Sequence, residues 1–534
     1  MKKSIYLIGA LLFSGVLFAQ KGRPDNWYLL DPNEDKVYGA GIEQAYKTLG
    51  DRKGEKVIVA VIDSGVEVDH EDLKDVIWVN EDEVPNNGKD DDNNGYVDDV
   101  HGWSFLGGPE EDINYEALEL ARIYQDLKPK YSKLQEFEVP ADKKDEYKYW
   151  LQIQVEYEEE MASNMQQYQV MELLIGYIDR VEEQTGQSFS KQSNKAYDPG
   201  DNEMDGRLQK RMKLILMAAD PGSLREELEH GAEAYGGMVK YSMLDADSLR
   251  RAVVGDNPDD ITEKFYGCNR YEGPDAMHGS HVSGIIAANR ENDLGIIGEA
   301  NNVEIMVLRA VPNGDERDKD VANAIYYAVD NGAKVINMSF GKYYSPNKAA
   351  VDAAVKYAQE HDVLLVHAAG NDSKNKDVED SYPMRYLDDG TEVNNWIEVG
   401  ASAYKKGKKI IASFSNYGKT KVDFFAPGVD IYSTVPDQKY EDASGTSMAC
   451  PSVAGVAAII RSYFPDLTAA EVRDVLMETV VPYKKKVLLP GGIVKETKKG
   501  PKRKKKKVKM EELCITGGFV NCNNAVVHLL EKEK

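Results

Sequence analysis

The stretch KVIVAVIDSG, residues 56–65, is a run of apolar side chains that ends in Asp63 and then in Ser-Gly. A short apolar run bounded by turn-forming residues is typical of a strand buried on both faces, and such strands occur in parallel sheets. Polar side chains that follow these strands gather at the carboxyl edge of the sheet, where α/β proteins form their sites. Asp63 is therefore a candidate functional residue.

The same pattern recurs along the chain and alternates with helical spacing. Further strands are predicted at NVEIMVLRA (302–310), AKVINMSFG (333–341), DVLLVHAAGN (362–371) and NWIEVGAS (395–402). Apolar residues at helical spacing occur in DVANAIYYAVDNG (320–332) and NKAAVDAAVKYAQEH (347–361). This alternation predicts an α/β fold with three layers, in which helices cover both faces of a mostly parallel central sheet.

One long segment interrupts the alternation. The chain has 534 residues, which is long for a single domain. Residues 104–265 are rich in Glu, Lys, Tyr and Gln, and helical spacing is found at 115–127, 145–184 and 208–220. We predict a signal peptide at 1–19, a main domain in two parts at 20–103 and 266–534, and an α-helical insertion at 104–265.

The first residues, MKKSIYLIGALLFSGVLFAQ, predict export. Two lysines precede an apolar run that ends at Ala19, which is typical of a secretory signal cleaved before Gln20. The competing interpretation is a membrane anchor. It is disfavoured because about 20 apolar residues are needed to span a bilayer, and this run is shorter and contains Gly9 and Gly15. The expected location is the periplasm or the extracellular space, with no transmembrane segment after cleavage.

Charge and cysteine content limit the partners further. The net charge of −25, from 66 basic and 91 acidic side chains, argues against nucleic-acid binding. A basic loop at 484–509 departs from this balance, and two interpretations remain open: a solvated loop, or contact with an anionic lipid or polysaccharide. Of the four cysteines, Cys514 and Cys522 are the favoured disulfide pair in an exported protein, whereas Cys450 is expected to pack as a small apolar residue.

The segment ASGTSMACPSVAG, residues 443–455, places Ser447 where an apolar helical pattern begins. Small polar residues at such a position often only cap the helix. A helix start also offers backbone N–H donors to an oxyanion, so Ser447 is a candidate nucleophile if a base lies nearby. In DAMHGSHVSG, His278 stands at another helix start and is the candidate base, while His281, one turn later, is expected to be structural.

The order Asp63, His278, Ser447 is that of the subtilisin triad. The words VIDSGV, HGSHVSG and GTSMACPSVAG closely resemble the three active-site signatures of the subtilases, a family of serine endopeptidases. The resemblance covers residues 55–103 and 266–480 and the end of the chain after Ile515. It implies a subtilisin-like fold in which the main domain is catalytic.

The resemblance extends to the substrate-binding and oxyanion segments. VINMSFG is similar to the strand of the family that pairs with the substrate, which implies this role for Ser339, Phe340 and Gly341. AAGND is similar to the loop that completes the oxyanion hole, which implies a binding role for Gly370 and a catalytic one for Asn371. Lys342 stands where a second glycine is frequent, and it is expected to narrow or charge a distal subsite.

Calcium is the predicted cofactor, with a structural role. In NGKDDDNNGYVDDVHGW, residues 87–103, oxygen donors occupy the spacing of an EF-hand-like loop with Gly95 at its sixth position. The candidate ligands are Asp90, Asp92, Asn94, Tyr96 and Asp98. The twelfth position is His101 rather than Glu, so a solvated acidic turn remains the alternative. A second site, at Asp72 and Asn292, is implied by the resemblance alone.

Two functions remain to be compared. The first is an exported serine endopeptidase that hydrolyses peptide bonds in polypeptides through an acyl-enzyme intermediate. The second is a binding protein built on an inactive protease scaffold, with the acidic insertion engaging a partner. Because the triad residues and Asn371 are all present, the enzyme is favoured. The insertion is expected to cover or flank the substrate cleft, with passive surface decoration as the alternative.

Overall fold

The structure is a computed structural model, and it describes residues 23–217, 221–404, 406–495 and 502–534. The predicted signal peptide lies outside the described residues. The strands are β1 Val57–Asp63, β2 Gly102–Ser104, β3 Val303–Arg309, β4 Val335–Met338, β5 Leu364–Ala368, β6 Trp396–Ser402, β7 Phe424–Pro427, β8 Ile431–Val435, β9 Lys439–Ala443, β10 Val481–Pro482, β11 Val487–Leu488, β12 Ile493–Lys495, β13 Lys502–Lys504, β14 Lys507–Val508 and β15 Gly518–Phe519.

Nine of these strands form the central sheet, in the order β10-β15-β7-β6-β5-β4-β1-β3-β2. All neighbours are parallel except the edge pair β10 and β15. β1 lies between β3 and β4, in the interior of the sheet. Its alternate side chains point to opposite faces of the sheet and so enter two different cores. Val59 and Val61 join one apolar cluster, whereas Ala60 and Ile62 join the other. This is why its sequence is apolar at every position rather than at every second one.

Helices cover both faces of the sheet. α8 and α11 contribute to the core that contains Val59, and α9 and α10 to the core that contains Ala60. No helix in the described ranges is long and apolar enough to cross a bilayer. The helices are α1 Ile42–Leu49, α2 Glu119–Tyr131, α3 Lys144–Thr185, α4 Lys191–Ala196, α5 Glu203–Ile215, α6 Pro221–Ser242, α7 Ala246–Val253, α8 Met277–Ala287, α9 Asp318–Asp330, α10 Lys348–Glu360, α11 Thr446–Tyr463, α12 Ala469–Glu478 and α13 Cys522–Lys532.

The predicted fold class is confirmed, and each of the five apolar runs contains a parallel strand of the central sheet. The sequence analysis did not identify β2, β7, β10 and β15. β2, β10 and β15 have two or three residues, too short to display a period, and β7 has four. They pair near the two edges of the sheet, so their conformation depends on neighbours that are distant in sequence.

Residues 115–249 form a compact unit of their own, within the predicted insertion. The unit is helical in its described part, and its longest helix, α3, has 42 residues. Its largest apolar cluster includes Leu174, Ile178 and Met212. Three glycines of α6 allow side chains to approach its backbone. A Cβ at Gly231, for example, would lie 2.5 Å from the sulfur of Met171.

Residues 19–114 and 250–534 form the second unit. A buried ion network fixes its chain where it resumes after the insertion. Arg250 donates from Nε to Asp256 at 2.7 Å, and from Nη1 and Nη2 to Asp320 at 2.8 and 2.6 Å. Nη2 also donates to the carbonyl of Phe105 at 2.9 Å, so the chain segments before and after the insertion are held against α9.

The predicted disulfide is wrong, because all four cysteines are free. Cys522 is buried in the core beside α11, and Cys514 lies in a separate apolar cluster that includes Phe425 and Val487. The turn between the two cysteines continues as β15, which carries Cys522 away from Cys514. Cys450 is fully buried in α11, as predicted.

The predicted basic loop forms two short antiparallel pairs, β11 with β14 and β12 with β13. Residues 496–501 lie outside the described residues. Nine cations of the described part are exposed, and no salt bridge within the described ranges involves them. They are Lys484, Lys485, Lys486, Arg503, Lys504, Lys505, Lys506, Lys507 and Lys509.

Arg250 and its neighbour Arg251 provide a matched test of the buried network. Arg250→Ala should lower the free energy of unfolding by about 3–5 kcal/mol, because buried Asp320 loses its charged partner and Asp256 keeps only Lys319. Arg251 pairs with Asp259, and their side chains are 44% and 75% exposed. Arg251→Ala should therefore cost about 1 kcal/mol or less. Urea unfolding of both variants checks this, and equal losses would contradict the assignment.

Candidate active site

Asp63 and His278 meet at the carboxyl edge of the sheet. Asp63 is the last residue of β1, and its backbone carbonyl accepts hydrogen bonds from the amides of Ala310 and Val311. Its carboxylate is buried, and Oδ1 lies 2.7 Å from Nδ1 of His278 and accepts from the amide of Ser64 at 2.8 Å. The carboxylate therefore faces one ring nitrogen of His278 and fixes the orientation of the imidazole.

A close approach of α8 to β1 makes this contact. His278 is in the first turn of α8, and a Cβ on the next residue, Gly279, would lie 2.1 Å from the carbonyl oxygen of Gly65. Only glycine permits this approach, because a larger residue would push the helix away from the strand. The small residues that follow His278 in the sequence are thus needed for the position of its ring.

Two histidines on α8 have opposite electrostatic environments. Burial lowers the pKa of His278, but the charge of Asp63 and its hydrogen bond outweigh burial, so the pKa is raised above the ordinary value. His281 is buried and faces the backbone carbonyls of Ile431 and Glu441. Burial and the neighbouring His278 lower its pKa to about 4. His281 is therefore structural, as the sequence analysis expected.

Ser447 lies in the first turn of α11, as predicted from the helical pattern. Its Oγ donates a hydrogen bond to the carbonyl of Ser339 at 3.1 Å, and Oγ of Ser339 donates to the carbonyl of Ser447 at 2.9 Å. Within the described residues no hydrogen bond joins Ser447 to His278. Hydroxyl–imidazole contacts of this kind are often loose in the absence of substrate and tighten in the complex.

Asn371 is attached to the same turn as Ser447. Its Oδ1 accepts from the amide of Thr446 at 2.9 Å and from the hydroxyl of Thr446 at 3.1 Å. Because the oxygen is occupied in this way, the amide nitrogen Nδ2 faces Gly445, where it lies 3.5 Å from the position of a Cβ. This nitrogen makes no hydrogen bond within the described residues, so it is an available donor beside the turn that carries Ser447.

Asn416 shapes the loop that carries Asn371, and the sequence analysis missed it. Its Oδ1 accepts from the amides of Asp372 and Lys374, and its Nδ2 donates to the carbonyl of Ala369. A Cβ on Gly370, which has φ +100°, would lie 2.4 Å from that Nδ2. Asn416 stands in an ordinary polar segment, so nothing in the local sequence distinguishes it.

The predicted substrate-binding segment, Ser339, Phe340 and Gly341, follows β4. Ser339 is buried, Phe340 is half-buried and Gly341 is exposed. The expectation for Lys342 needs correction. Its side chain is buried, with Nζ 2.9 Å from Oδ1 of Asp318 and 2.6 Å from the carbonyl oxygen of Glu316. An ion pair inside the protein therefore neutralises its charge, and the amine does not project into a subsite.

The acidic loop brings only part of the predicted ligand set together. Carboxylate oxygens of Asp90, Asp92 and Glu83 lie within 4.8 Å of one another. Glu83 was not predicted, because it precedes the loop motif. Its Oε2 is buried without a hydrogen-bond partner in the described structure, and burial raises its pKa. An unpartnered carboxylate oxygen beside two further carboxylates fits a hard divalent cation such as calcium.

The other predicted ligands of this loop have different contacts. Asp98 accepts from the amides of Asn87 and Gly88 at 2.9 and 2.8 Å. Asn94 accepts from the amide of Tyr96 and donates to Asp92. The ring of Tyr96 is buried against Trp103 and Tyr327. These residues shape the loop around the cluster of three carboxylates.

Asp72 and Asn292, predicted from the resemblance, do lie together. Asn292 donates from Nδ2 to Oδ1 of Asp72 at 2.8 Å, and the amide of Ile296 donates to Oδ2 at 3.3 Å. Asp72 is buried, and this burial raises its pKa although the hydrogen bonds oppose the shift. The carboxylate therefore stands at a buried position where a bound cation would lower the cost of its charge.

The opposite shifts of His278 and His281 should be visible by NMR. In the Ser447→Ala variant, His278 should titrate above the ordinary histidine value of about 6.5 and His281 near 4. Asp63→Asn should lower the pKa of His278, because burial is then opposed only by the charge of Asp275. A titration of His278 that Asp63→Asn leaves unchanged would show that the carboxylate does not control the ring.

Comparisons with known proteins agree on one family. The profile of the subtilase family matches residues 54–508. A thermophilic serine proteinase of Bacillus sp. (strain AK1) is 44% identical over 187 residues, which are 35% of this chain and 42% of that protein. Subtilisin DY of Bacillus licheniformis is 37% identical over 204 residues, 38% of this chain and 69% of that protein. A solved structure of a cold adapted subtilisin-like serine proteinase is 32% identical in sequence. The match covers 39% of this chain and 70% of that chain, with a TM-score of 0.34. The chain belongs to the subtilase family.

Proposed function

We propose that this protein is a serine endopeptidase that cuts peptide bonds in polypeptides through Asp63, His278 and Ser447. The hydrogen bond of 2.7 Å between Asp63 and His278 is the observation that carries the proposal. A serine at a helix start and a free amide donor beside it supply the remaining chemical groups. Family membership supports the same reaction class.

The reaction begins with a rotation of the Ser447 hydroxyl from the carbonyl of Ser339 towards His278. Neutral His278 takes the hydroxyl proton at Nε2, while Asp63 holds Nδ1–H and stabilises the imidazolium. Oγ then bonds to the substrate carbonyl carbon. Nδ2 of Asn371 and the amide of Ser447 donate to the resulting oxyanion. The C–N bond then breaks as His278 gives the proton to the leaving amine. Water, deprotonated by His278, hydrolyses the acyl-enzyme, and the histidine returns that proton to Oγ of Ser447.

Substrate would bind as an extended strand. Gly341 is exposed after β4, the amide of Gly370 donates to the hydroxyl of Thr446, and Ser339 fixes the turn of Ser447 from the buried side. Such a segment recognises the peptide backbone through main-chain hydrogen bonds. Because the pKa of His278 is raised, activity should rise with pH along a limb centred above the ordinary histidine value.

The competing function is partner binding on an inactive scaffold. It predicts no reaction of Ser447 with a fluorophosphonate probe. The endopeptidase predicts stoichiometric labelling at Ser447, lost in Ser447→Ala. The same probe therefore separates the two functions in one experiment.

Asn371 should act in the transition state rather than in binding. Asn371→Ala should lower kcat about 100- to 1000-fold with little change in KM, because one oxyanion donor is lost. Asn394→Ala is a control, since Asn394 is an exposed asparagine outside the site. Steady-state hydrolysis of a peptide substrate measures both. A rise in KM alone for Asn371→Ala would place its amide in ground-state binding instead.

We further propose calcium as a structural cofactor. Glu83, Asp90 and Asp92 would hold one ion in the acidic loop, and Asp72 with Asn292 would contribute to a second site. A bound ion would offset repulsion between carboxylates and so stabilise the folded state. It would take no part in the reaction.

Glu83 provides the test of the first calcium site. In the Ser447→Ala background, calcium at about 100 times its Kd should stabilise the fold by about 2.7 kcal/mol per site. Glu83→Gln should remove the part of this stabilisation that comes from calcium bound at the acidic loop. Glu81→Gln, at an exposed position two residues earlier, should leave that stabilisation intact. Melting curves with calcium and with chelator measure the difference. Equal calcium responses in both variants would exclude Glu83 as a ligand.

We also propose that the protein is exported and that its basic loop contacts an anionic surface. The apolar run before Ala19 supports export to the periplasm or beyond. Nine exposed cations that make no salt bridge within the described part of the chain support the contact, because their charge is opposite to the overall charge of −25. The test is binding to anionic vesicles or to a sulfated polysaccharide at increasing salt concentration. Binding that does not weaken as the salt concentration rises would contradict the proposed contact.

The helical unit at 115–249 is proposed to restrict access to the site. Its insertion between Asp63 and His278, and its own apolar core, support a dedicated role. Replacing it with a Gly/Ser linker should preserve fluorophosphonate labelling and small-peptide hydrolysis, but broaden the cleavage of folded proteins. Digests analysed by mass spectrometry give the readout. Identical digests from both forms would show a passive insertion.

A further inference from the structure

Arg309 is a buried cation beside the Asp63–His278 pair that the proposed mechanism does not use. It is the last residue of β3 and the register partner of Asp63, and it is 1% exposed. Its Nε donates to the carbonyl of Ser64 at 3.0 Å, Nη1 to Oγ of Ser104 at 3.2 Å and Nη2 to the carbonyl of Ile113 at 2.5 Å. Each arm of the guanidinium therefore holds a different chain segment.

The electrostatic setting of Arg309 is unfavourable for stability. The nearest carboxylate, Asp112, lies 3.7 Å from Nη1, and its stronger contact is with Arg270 at 2.8 Å. Burial lowers the pKa of Arg309 to about 10. A buried cation without a close partner of its own costs free energy, so an ion pair does not explain the residue. Its directional hydrogen bonds to Ser64, Ser104 and Ile113 do.

The segment that leads to His278 rests on this guanidinium. Gly273 has φ +67°, and a Cβ there would lie 2.1 Å from Nε of Arg309. Five residues later the chain reaches His278. Arg309 thus contacts the residue after Asp63 on one side and the approach to His278 on the other.

We propose that Arg309 is a positioning residue that sets the geometry of the Asp63–His278 pair. The proposal rests on the proposed function and extends it. Through Ser64 the guanidinium fixes the end of β1, and by packing under Gly273 it fixes the entry to α8. Ser104 and Ile113 lie in the chain segment that leads into the helical unit at 115–249. Arg309 therefore also links this segment to the Asp63–His278 pair.

Arg309→Lys separates positioning from charge, because lysine keeps the charge but cannot hold three segments at once. We expect kcat for a small peptide to fall about 10- to 100-fold with KM nearly unchanged. In the Ser447→Ala background, the pKa of His278 should fall and its low-field Nδ1–H proton resonance should weaken, since the contact with Asp63 loosens at constant charge. Arg250→Lys is the control: it disturbs another buried network and should cost stability without changing His278.

A second pair of variants tests the same contact by introducing a steric clash. Gly273→Ala would push a methyl group into Nε of Arg309, whereas Gly255→Ala, at φ +83°, meets nothing within 4 Å. Both carry the strain of a positive φ, but only Gly273→Ala should lower kcat and shift His278. This pair decides the question if Arg309→Lys does not fold.

The outcomes distinguish this inference from the proposed function. Parental kcat and an unchanged His278 titration in Arg309→Lys or Gly273→Ala would overturn the positioning role. Absence of peptide hydrolysis in the parent would overturn the proposed function. The NMR signature of His278 in the Ser447→Ala background would still report whether Arg309 positions the pair.

Discussion

The contact between Asp63 and His278 depends on how closely α8 approaches the end of β1. That distance is set by backbone, because Gly279 faces the carbonyl of Gly65 with no room for a side chain. β1 in turn is held by parallel pairing with β3 and β4. The turn of Ser447 and the loop of Asn371 attach to the same sheet edge through Ser339 and Thr446. The central sheet therefore determines which polar groups can meet.

The sequence was informative where one residue type satisfies one local requirement. Continuous apolar runs identified five neighbouring parallel strands of the sheet, and helix starts located His278 and Ser447. It was uninformative where a contact depends on the assembled fold. Asn416 and Glu83 acquire their roles from backbone amides and carboxylates that chain folding brings to them. The disulfide prediction failed for the same reason, because sequence spacing does not reveal into which core a cysteine points.

Charge inside this protein is distributed unevenly. Arg250 is neutralised by two buried carboxylates and Lys342 by Asp318, so these cations fix chain segments with their charge compensated. Arg309 is held mainly by neutral oxygen acceptors, at greater electrostatic cost. Asp63, beside it, has one carboxylate oxygen without a partner in the described residues. Two incompletely compensated groups thus lie together where the proposed chemistry occurs, which agrees with the general placement of strain at functional sites.

The interval of 215 residues between Asp63 and His278 also has a consequence for folding. Pairing of β1 with β3 must close a still longer chain loop, because Asp63 pairs with Arg309, and closure entropy grows with the logarithm of loop length, by about 0.6 kcal/mol per doubling. A unit at 115–249 that condenses on its own core shortens the flexible part of that loop. Sequence-distant pairing is slow to form. The order of assembly would then be helical unit first and parallel sheet second. A newly made chain would therefore pass through its least protected stages before the proposed catalytic site exists.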